Sequence, residues 1–442
     1  MKIQREIIER LKEWKDSPRR KPALIRGARQ IGKSWAIEEF GRTCYEHIAK
    51  FDFDEMPELA SVFKTTKDPD RIVKELALFV DAPILPGKTL IIFDEIQECE
   101  EALNSLKYFN EKAPEFHIAA AGSLLGVAVR KKSMKVPVGQ IDIFDMSPVS
   151  FKEFLRAADP KTFEYAEDLN AIAHLPEIIL NKLATEFRRY LICGGMPEAT
   201  AAMLEGLGNA AVDKILSDIL ALYELDFAKY ATPLEVVRIK AIWNSLPAQL
   251  SKENRKFIYN AIRTGARSKD YEDALIWLED AGVIYRIFNV SKPGIPLSGY
   301  ADPGAFKVYA LDTGLLRRLA RLDAAVVANP LDGYTEFKGA MAENAVLQSI
   351  MANPALDKPY YWTSGNRAEI EFLIELGGDI IPVEVKAENN VSGRSITVYE
   401  DKYHPRLRVR TSMLNLQMSG NLLSCPTPLF DWLLRLLNLT QP

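Results

Sequence analysis

The chain is poor in the two side chains that most often announce metal or redox chemistry. Four cysteines (Cys44, Cys99, Cys193, Cys425) are spread over 442 residues, too far apart for a disulfide framework or a CxxC zinc site. Four histidines (His47, His117, His174, His404) are equally scattered. Cys44 and His47 have ligand-like spacing but no second pair, so the expectation is a structural thiol and an ordinary histidine. Any metal should be held by oxygen ligands or phosphate. No apolar run approaches the ~18 residues of a membrane span, and MKIQREIIERLKEW reads as a charged amphipathic helix, not a signal peptide. Neither sign of charge dominates: 56 Lys and Arg against 60 Asp and Glu leave a net charge of −4. That excludes a generally basic nucleic-acid coat, though not a local basic patch. The expectation is a cytoplasmic protein with no membrane contact, of two to four domains at ~100–200 residues each.

What is present is patterned. Over the first 150 residues short β-rich runs alternate with helical ones: helix 1–15, strand 23–26, helix 33–42, strand 90–95, helix 100–112 and strand 117–121. Apolar strands without alternation, separated by helices, predict a parallel sheet covered on both faces. Residues 150 to 245 read as helical, broken at Gly194-Gly195-Met196-Pro197. Short helices and the β-run VIYRIFNV follow, and SKPGIPLSGYADPG is the best linker candidate.

GARQIGKS fits GxxxxGK[ST] at every fixed position, after the strand ALIR and at the start of a helix. Gly27, Ala28, Arg29, Gln30, Ile31, Gly32, Lys33 and Ser34 would cradle phosphate oxygens with backbone N–H groups and a helix N-terminus. Lys33 would reach the β- and γ-phosphates, and the Ser34 hydroxyl would ligate Mg²⁺. About sixty residues on, Asp94 and Glu95 end the apolar run LIIF. A carboxylate at the C-terminal end of a parallel strand faces the ligand crevice, so Asp94 would hold Mg²⁺ through water and Glu95 would orient the attacking water. Ser123, ending HIAAAGS, would sense the γ-phosphate.

These segments, with SLKYF, AAGSLLGV, MSPVSFKEFL, GGMPEA, FKVYALDTGLL, YYWTSGNRAEIEFLI and PVEVKA, resemble the prokaryotic AAA-like P-loop ATPases that carry a C-terminal DUF4143 domain. The likeness runs nearly end to end. It departs at Gln140, where relatives carry a basic residue before the PxSFxEF segment. It implies ATP rather than another nucleotide, and an α/β architecture. A P-loop NTPase parallel sheet (1–150) would be followed by a helical lid (151–235), a winged helix-turn-helix module (236–298) and a smaller nuclease-like α/β domain (299–442).

Within 236–269 eight basic residues (Arg238, Lys240, Lys252, Arg255, Lys256, Arg263, Arg267, Lys269) stand against Glu253 alone. Such a run would neutralise DNA phosphates. The next helix opposes this: Asp270 to Asp280 carry five acids and no base, a solvated acidic face ill suited to a polyanion. Ala274, Leu275, Leu278 and Ile284 read as core. Sequence-specific DNA reading, non-specific phosphate contact and a structural or protein-contact role all stay open.

In AEIEFLIELGGDIIPVEVK, Gly377-Gly378 reads as a two-residue hairpin turn. Pairing Leu376 with Asp379 sets Glu371 opposite Glu384 and Glu369 opposite Lys386. Like charges face each other there, so Lys386, solvent or a divalent cation must compensate. The arrangement resembles the restriction-endonuclease-like fold, which implies a Mg²⁺ site of Glu371, Glu384 and Glu343 with Lys386 acting on water. Glu371 departs from the usual Asp by one methylene. An active nuclease, a nucleic-acid-binding relic and a merely charged sheet face remain as readings.

The function expected is Mg-dependent ATP binding and hydrolysis coupled to movement of the later modules. Its rivals are an ATP-gated metal-dependent nuclease acting on DNA and a slow nucleotide-held switch binding a protein partner or further copies of itself.

Overall fold

Five short strands build the first sheet, the three inner ones from apolar runs and the two edge strands from mixed sequence. The computed structural model describes residues 2–132, 134–251, 256–329, 335–365, 368–387 and 394–440, so Lys252, Glu253 and Arg255 of the basic run lie outside the described residues. Contacts divide the chain into two compact units. One holds residues 4–147 with 280–282, the other 1–3, 148–279 and 283–442. No described helix is long and apolar enough to cross a membrane.

In the first unit β1 (Ala23–Arg26), β2 (His47–Asp52), β3 (Thr89–Asp94), β4 (His117–Gly122) and β5 (Asp142–Asp145) lie in the order β2-β3-β4-β1-β5, every neighbouring pair parallel. β3 and β4 are buried along their whole length, as their unbroken apolar sequence requires. Phe53, Phe63 and Phe93 meet edge-to-face with centroids 5.6–5.7 Å apart, adding ~0.5–1.5 kcal/mol per pair beyond area burial. β2 lies at one edge and is only half buried. Because β4 separates β1 from β3, three strand ends sit side by side: Asp94 at the end of β3, Ser123 just past β4 and Gly27 just past β1.

The second unit contains a mixed sheet of eight strands. These are β6 (Ile284–Val290), β7 (Ala301–Ala310), β8 (Tyr360–Thr363), β9 (Glu369–Leu376), β10 (Asp379–Val385), β11 (Arg408–Ser412), β12 (Gln417–Ser419) and β13 (Leu422–Pro426). Their order is β12-β13-β11-β10-β9-β8-β6-β7. The β9–β10 register has Asp379 opposite Leu376 and Val383 opposite Phe372, as the two-glycine turn implies. All but the first residue of VIYRIFNV forms β6; it pairs antiparallel with β7 and meets β8 at Asn289–Tyr361. The Pro/Gly-rich segment read as a linker is therefore the connection of a β-ribbon inside one unit, and its last residues, ADPG, already belong to β7.

The sequence motifs of this unit explain one another. SFKE is a capping box: Ser150 Oγ accepts from Glu153 N–H at 3.1 Å and a Glu153 carboxylate oxygen accepts from Ser150 N–H at 3.0 Å. The helix Glu177–Cys193 stops at Gly194, whose φ of +66° suits glycine. Gly195 N–H then donates to Asp312 Oδ2 at 2.5 Å, and its carbonyl accepts from Val149 N–H at 2.7 Å. A Cβ on Gly195 would lie 2.2 Å from the Val149 oxygen. Gln348 Nε2 donates to both Tyr190 Oη (2.9 Å) and Asp312 Oδ2 (3.1 Å), and Tyr190 donates to the Val149 carbonyl (2.7 Å). MSPVSF, GGMPEA and ALDTGLL thus meet in one buried network.

The helix Ser268–Asp280 has its acidic face partly solvated, with Asp273 exposed, but its Glu272 and Glu279 are drawn into ion pairs. Ala274, Leu275 and Leu278 are buried, as is Ile284 on β6, but Glu272 and Glu279 pair with Arg286 at 2.6 and 2.7 Å, and Glu279 also meets Lys358 at 2.5 Å. Those two acids thus reach a cation on β6 and, for Glu279, another just before β8. Two basic-run residues are likewise engaged, Arg238 with Asp270 (3.9 Å) and Lys240 with Glu224 (2.9 Å).

Candidate functional site

β1 ends at Arg26 and the helix Lys33–Cys44 begins after Gly32. Between them the backbone is left-handed at Gln30 (φ 64°) and Gly32 (φ 87°), turns of the kind that aim successive N–H groups at an anion. Gly27 is needed for close approach: a Cβ there would lie 2.4 Å from the Met146 oxygen and 2.6 Å from Ile31 Cδ1. The buried Arg5 guanidinium fastens the loop from outside, donating to the Ile31 carbonyl at 2.9 Å and the Ser147 carbonyl at 2.6 Å.

Lys33 is folded under the loop, its ammonium donating to the carbonyls of Gly27 (3.1 Å) and Ala28 (2.7 Å). Burial pushes its pKa down to about 8, opposed by the charges of Glu95 and Asp94. Ser34 Oγ donates to Asp94 Oδ1 at 3.0 Å. A hydroxyl and a carboxylate converging beside a phosphate loop form an all-oxygen donor set, which suits Mg²⁺.

Glu95 is left-handed as well (φ 47°, ψ 45°), a strained conformation costing on the order of 1–3 kcal/mol. That turn carries its carboxylate to the end of β4: Glu95 Oε2 accepts from Ser123 Oγ at 2.8 Å and from Gln97 Nε2 at 2.5 Å. The structure thus brings Lys33, Ser34, Asp94, Glu95 and Ser123 together at three adjacent strand ends.

The C-terminal residues fall differently. Glu371 and Glu384 are both buried on neighbouring strands, with the charge of Lys386 acting on both. Glu384 lies 3.3 Å from Lys386 and 2.8 Å from Arg410. Glu371 Oε2 accepts from Val385 N–H at 2.9 Å, and burial raises its pKa against the pull of Lys386 and Lys307. Glu343 accepts from Tyr309 Oη at 2.9 Å and lies 3.9 Å from Lys307, whose fully buried ammonium also bonds Glu369. Glu369 therefore pairs with Lys307, where the sequence set it against Lys386. Among the described residues no group of three or more His, Cys, Asp or Glu is arranged to hold a metal ion.

Residues 19–155 match the family described as AAA domain, and residues 338–430 match a domain of unknown function, DUF4143. The chain pairs an AAA domain with a DUF4143 domain. A further domain of unknown function, DUF8612, matches residues 184–326. Uncharacterized proteins of Mycobacterium bovis and Mycobacterium tuberculosis are each 27% identical over 215 residues, covering 46% of this chain and 44% of the relative. The chain thus spans less than half the length of the curated relatives it matches. Among solved structures it is similar to a Walker-type ATPase of Pyrococcus abyssi (16% identity, TM-score 0.45, covering 72% of this chain and 96% of that one). It is also similar to the ORC2 protein of Aeropyrum pernix (15% identity, TM-score 0.37, covering 74% and 94%). The α/β fold of the AAA domain follows from its strand order and phosphate loop.

Three residues of the AAA domain site were not singled out from the sequence. Gln97 has a signal, standing two positions after Glu95, and its buried Oε1 has no hydrogen-bond partner among the described residues. Lys50 and Glu38 have none, since only the fold brings them beside Asp94. In the DUF4143 domain Glu343, Glu369, Glu371 and Glu384 were legible, whereas Lys307, which sits between two of them, comes from β7 outside that match.

Proposed function

We propose that the AAA domain binds Mg·ATP on Gly27–Ser34 and hydrolyses it to ADP and phosphate. The single observation carrying this reading is the convergence of Ser34, Asp94, Glu95 and Ser123 beside a left-handed phosphate loop. Lys33 exchanges its loop carbonyls for the β- and γ-phosphate oxygens. Ser34 and Asp94 would hold Mg²⁺, which supplies charge neutralisation to the same oxygens. Glu95 would orient a water for attack on the γ-phosphorus, and Ser123, hydrogen-bonded to that carboxylate, would sense the γ-phosphate. Arg29, Gln30 and Ile31 line the cradle.

The proposal extends to the rest of the chain as a helical lid (151–235), a winged-helix module (236–298) whose β6 continues into the sheet of the C-terminal domain, and that C-terminal domain (299–442), moved by nucleotide turnover. Its partners are a protein or further copies of the chain, and DNA through non-specific phosphate contacts of the basic run. For the β9–β10 face, the cations Lys386, Arg410 and Lys307 that already neutralise these carboxylates support a charged structural face over a metal nuclease.

The test is phosphate release from Mg·ATP, with and without DNA, by wild type, Lys33→Ala and Glu95→Gln. Both variants should lose turnover by about 100-fold or more, Lys33→Ala with weakened nucleotide binding and Glu95→Gln without. A wild type that releases no more phosphate than the variants defeats the hydrolase reading. Tight retention of nucleotide in that case leaves the nucleotide-held switch.

A further inference from the structure

Both oxygens of Asp94 are engaged. Oδ1 accepts from the Ser34 hydroxyl at 3.0 Å and from Glu95 N–H at 3.2 Å, while Oδ2 lies 3.2 Å from Lys50 Nζ. Lys50 projects from β2, the edge strand beside β3. Its second partner is Glu38, 2.6 Å away, one turn beyond Ser34 on the helix Lys33–Cys44. The two acids differ in setting: the Asp94 side chain is 4% exposed and that of Glu38 46%. Part-burial disfavours the Lys50 charge, but the hydrogen bond to Glu38 and the charge of Asp94 outweigh it and raise the pKa overall.

A cation therefore already faces the carboxylate that takes part in holding Mg²⁺. We infer that Lys50 is the internal counter-ion of Asp94 and sets the Mg²⁺ concentration at which the nucleotide site fills, an inference that rests on the Mg·ATP reading. Two cations at one carboxylate repel each other, and beside a buried group that repulsion is weakly screened. Lys50 must cede Asp94 when a divalent cation engages it, and Glu38 is the acid placed to keep the ammonium. An ordinary surface ion pair would contribute little and would leave the Mg²⁺ dependence of binding untouched.

The experiment measures binding rather than turnover. A fluorescent non-hydrolysable ATP analogue is titrated onto the full chain in EDTA and at rising Mg²⁺, for wild type, Lys50→Met, Lys50→Arg and Glu38→Gln. The Mg²⁺ midpoint should fall about tenfold in Lys50→Met, as nearby charges shift such equilibria. It should stay near wild type in Lys50→Arg and rise in Glu38→Gln, where the ammonium has Asp94 alone. In EDTA Lys50→Arg should bind as wild type does, and Lys50→Met more weakly, because Asp94 then faces the phosphates without a counter-ion. Equal midpoints in wild type and Lys50→Met overturn the inference and leave the Mg·ATP reading standing. Failure of wild type to bind the analogue, with or without Mg²⁺, removes that reading and the inference with it. Should Lys50→Met not fold by circular dichroism, the comparison of Glu38→Gln with Lys50→Arg decides: a raised midpoint supports the counter-ion and an unchanged one overturns it.

Discussion

The Lys33 ammonium donates to the carbonyl of Ala28 at 2.7 Å, so the phosphate loop binds its own lysine. Burial lowers that lysine's pKa to about 8, and a polyphosphate would raise it again. Nucleotide affinity should accordingly be level below about pH 7 and weaken as pH rises through 8, by up to tenfold per unit. At pH 8.5 binding should take up a proton. Calorimetry in two buffers of different ionisation enthalpy reads this directly, and the absence of proton uptake at that pH would sink the prediction.

The Lys307 ammonium is fully buried between Glu343 and Glu369. Lys307→Met should destabilise its unit by about 3–5 kcal/mol, because it leaves buried carboxylates without a counter-ion. Neutralising both acids as well, in Lys307→Met with Glu343→Gln and Glu369→Gln, should recover much of the loss. Urea unfolding measures both. Wild type should neither bind Mn²⁺ through these carboxylates nor cleave DNA in its presence; metal-dependent cleavage lost on Lys386→Ala would restore the nuclease reading.

Asp312 accepts backbone donors from Gly195 and Leu315 while buried. Asp312→Ala should cost about 2–4 kcal/mol through orphaned N–H groups. Gly194→Ala should cost at least as much, since its Cβ would fall 2.2 Å from an Asp312 oxygen in a left-handed backbone. A urea midpoint unmoved by either change would mean that this network does not hold the unit together.

His117 accepts or donates at Tyr45 Oη at 2.8 Å. Burial first, then Arg20 and Lys15, push its pKa down to about 4. The unfolded chain binds that proton near pH 6.5, so the unfolded state carries the extra proton between about 4 and 6.5. Stability is then fully present above pH 6.5 and lost as pH falls toward 4, by about 1–3 kcal/mol. The thermal midpoint of a His117→Phe variant should vary less with pH over that window.

Local signals carried far into the structure, and long-range ones did not. GARQIGKS and LIIFDE each announce a strand end with its chemistry, and the Gly377-Gly378 turn fixes the β9–β10 register because period-two alternation allows no slip. Glu272 and Glu279 of the helix Ser268–Asp280 read as solvated because Arg286 and Lys358 reach them only once β6 and the segment before β8 are in place. Lys307 was invisible for the same reason: it lies on β7 and its partner Glu369 on β9, with two strands between them in the sheet. Gln97 alone stood beside a motif already recognised, and its bond to Glu95 accompanies a left-handed turn that no propensity favours at glutamate.

The order β8-β6-β7 has a practical consequence for anyone cutting this chain into pieces. β6 is the seam between β7 and the six strands that follow it, although it precedes the Pro/Gly-rich loop at which a scissor would naturally fall. A fragment beginning at residue 299 would retain β7 with no neighbour to receive it and would bare the edge of β8. Exposed edges of that kind template association. A fragment expected to stay monodisperse should start upstream of Ile284, carrying the acidic helix with its two arginine-bound glutamates along with the sheet.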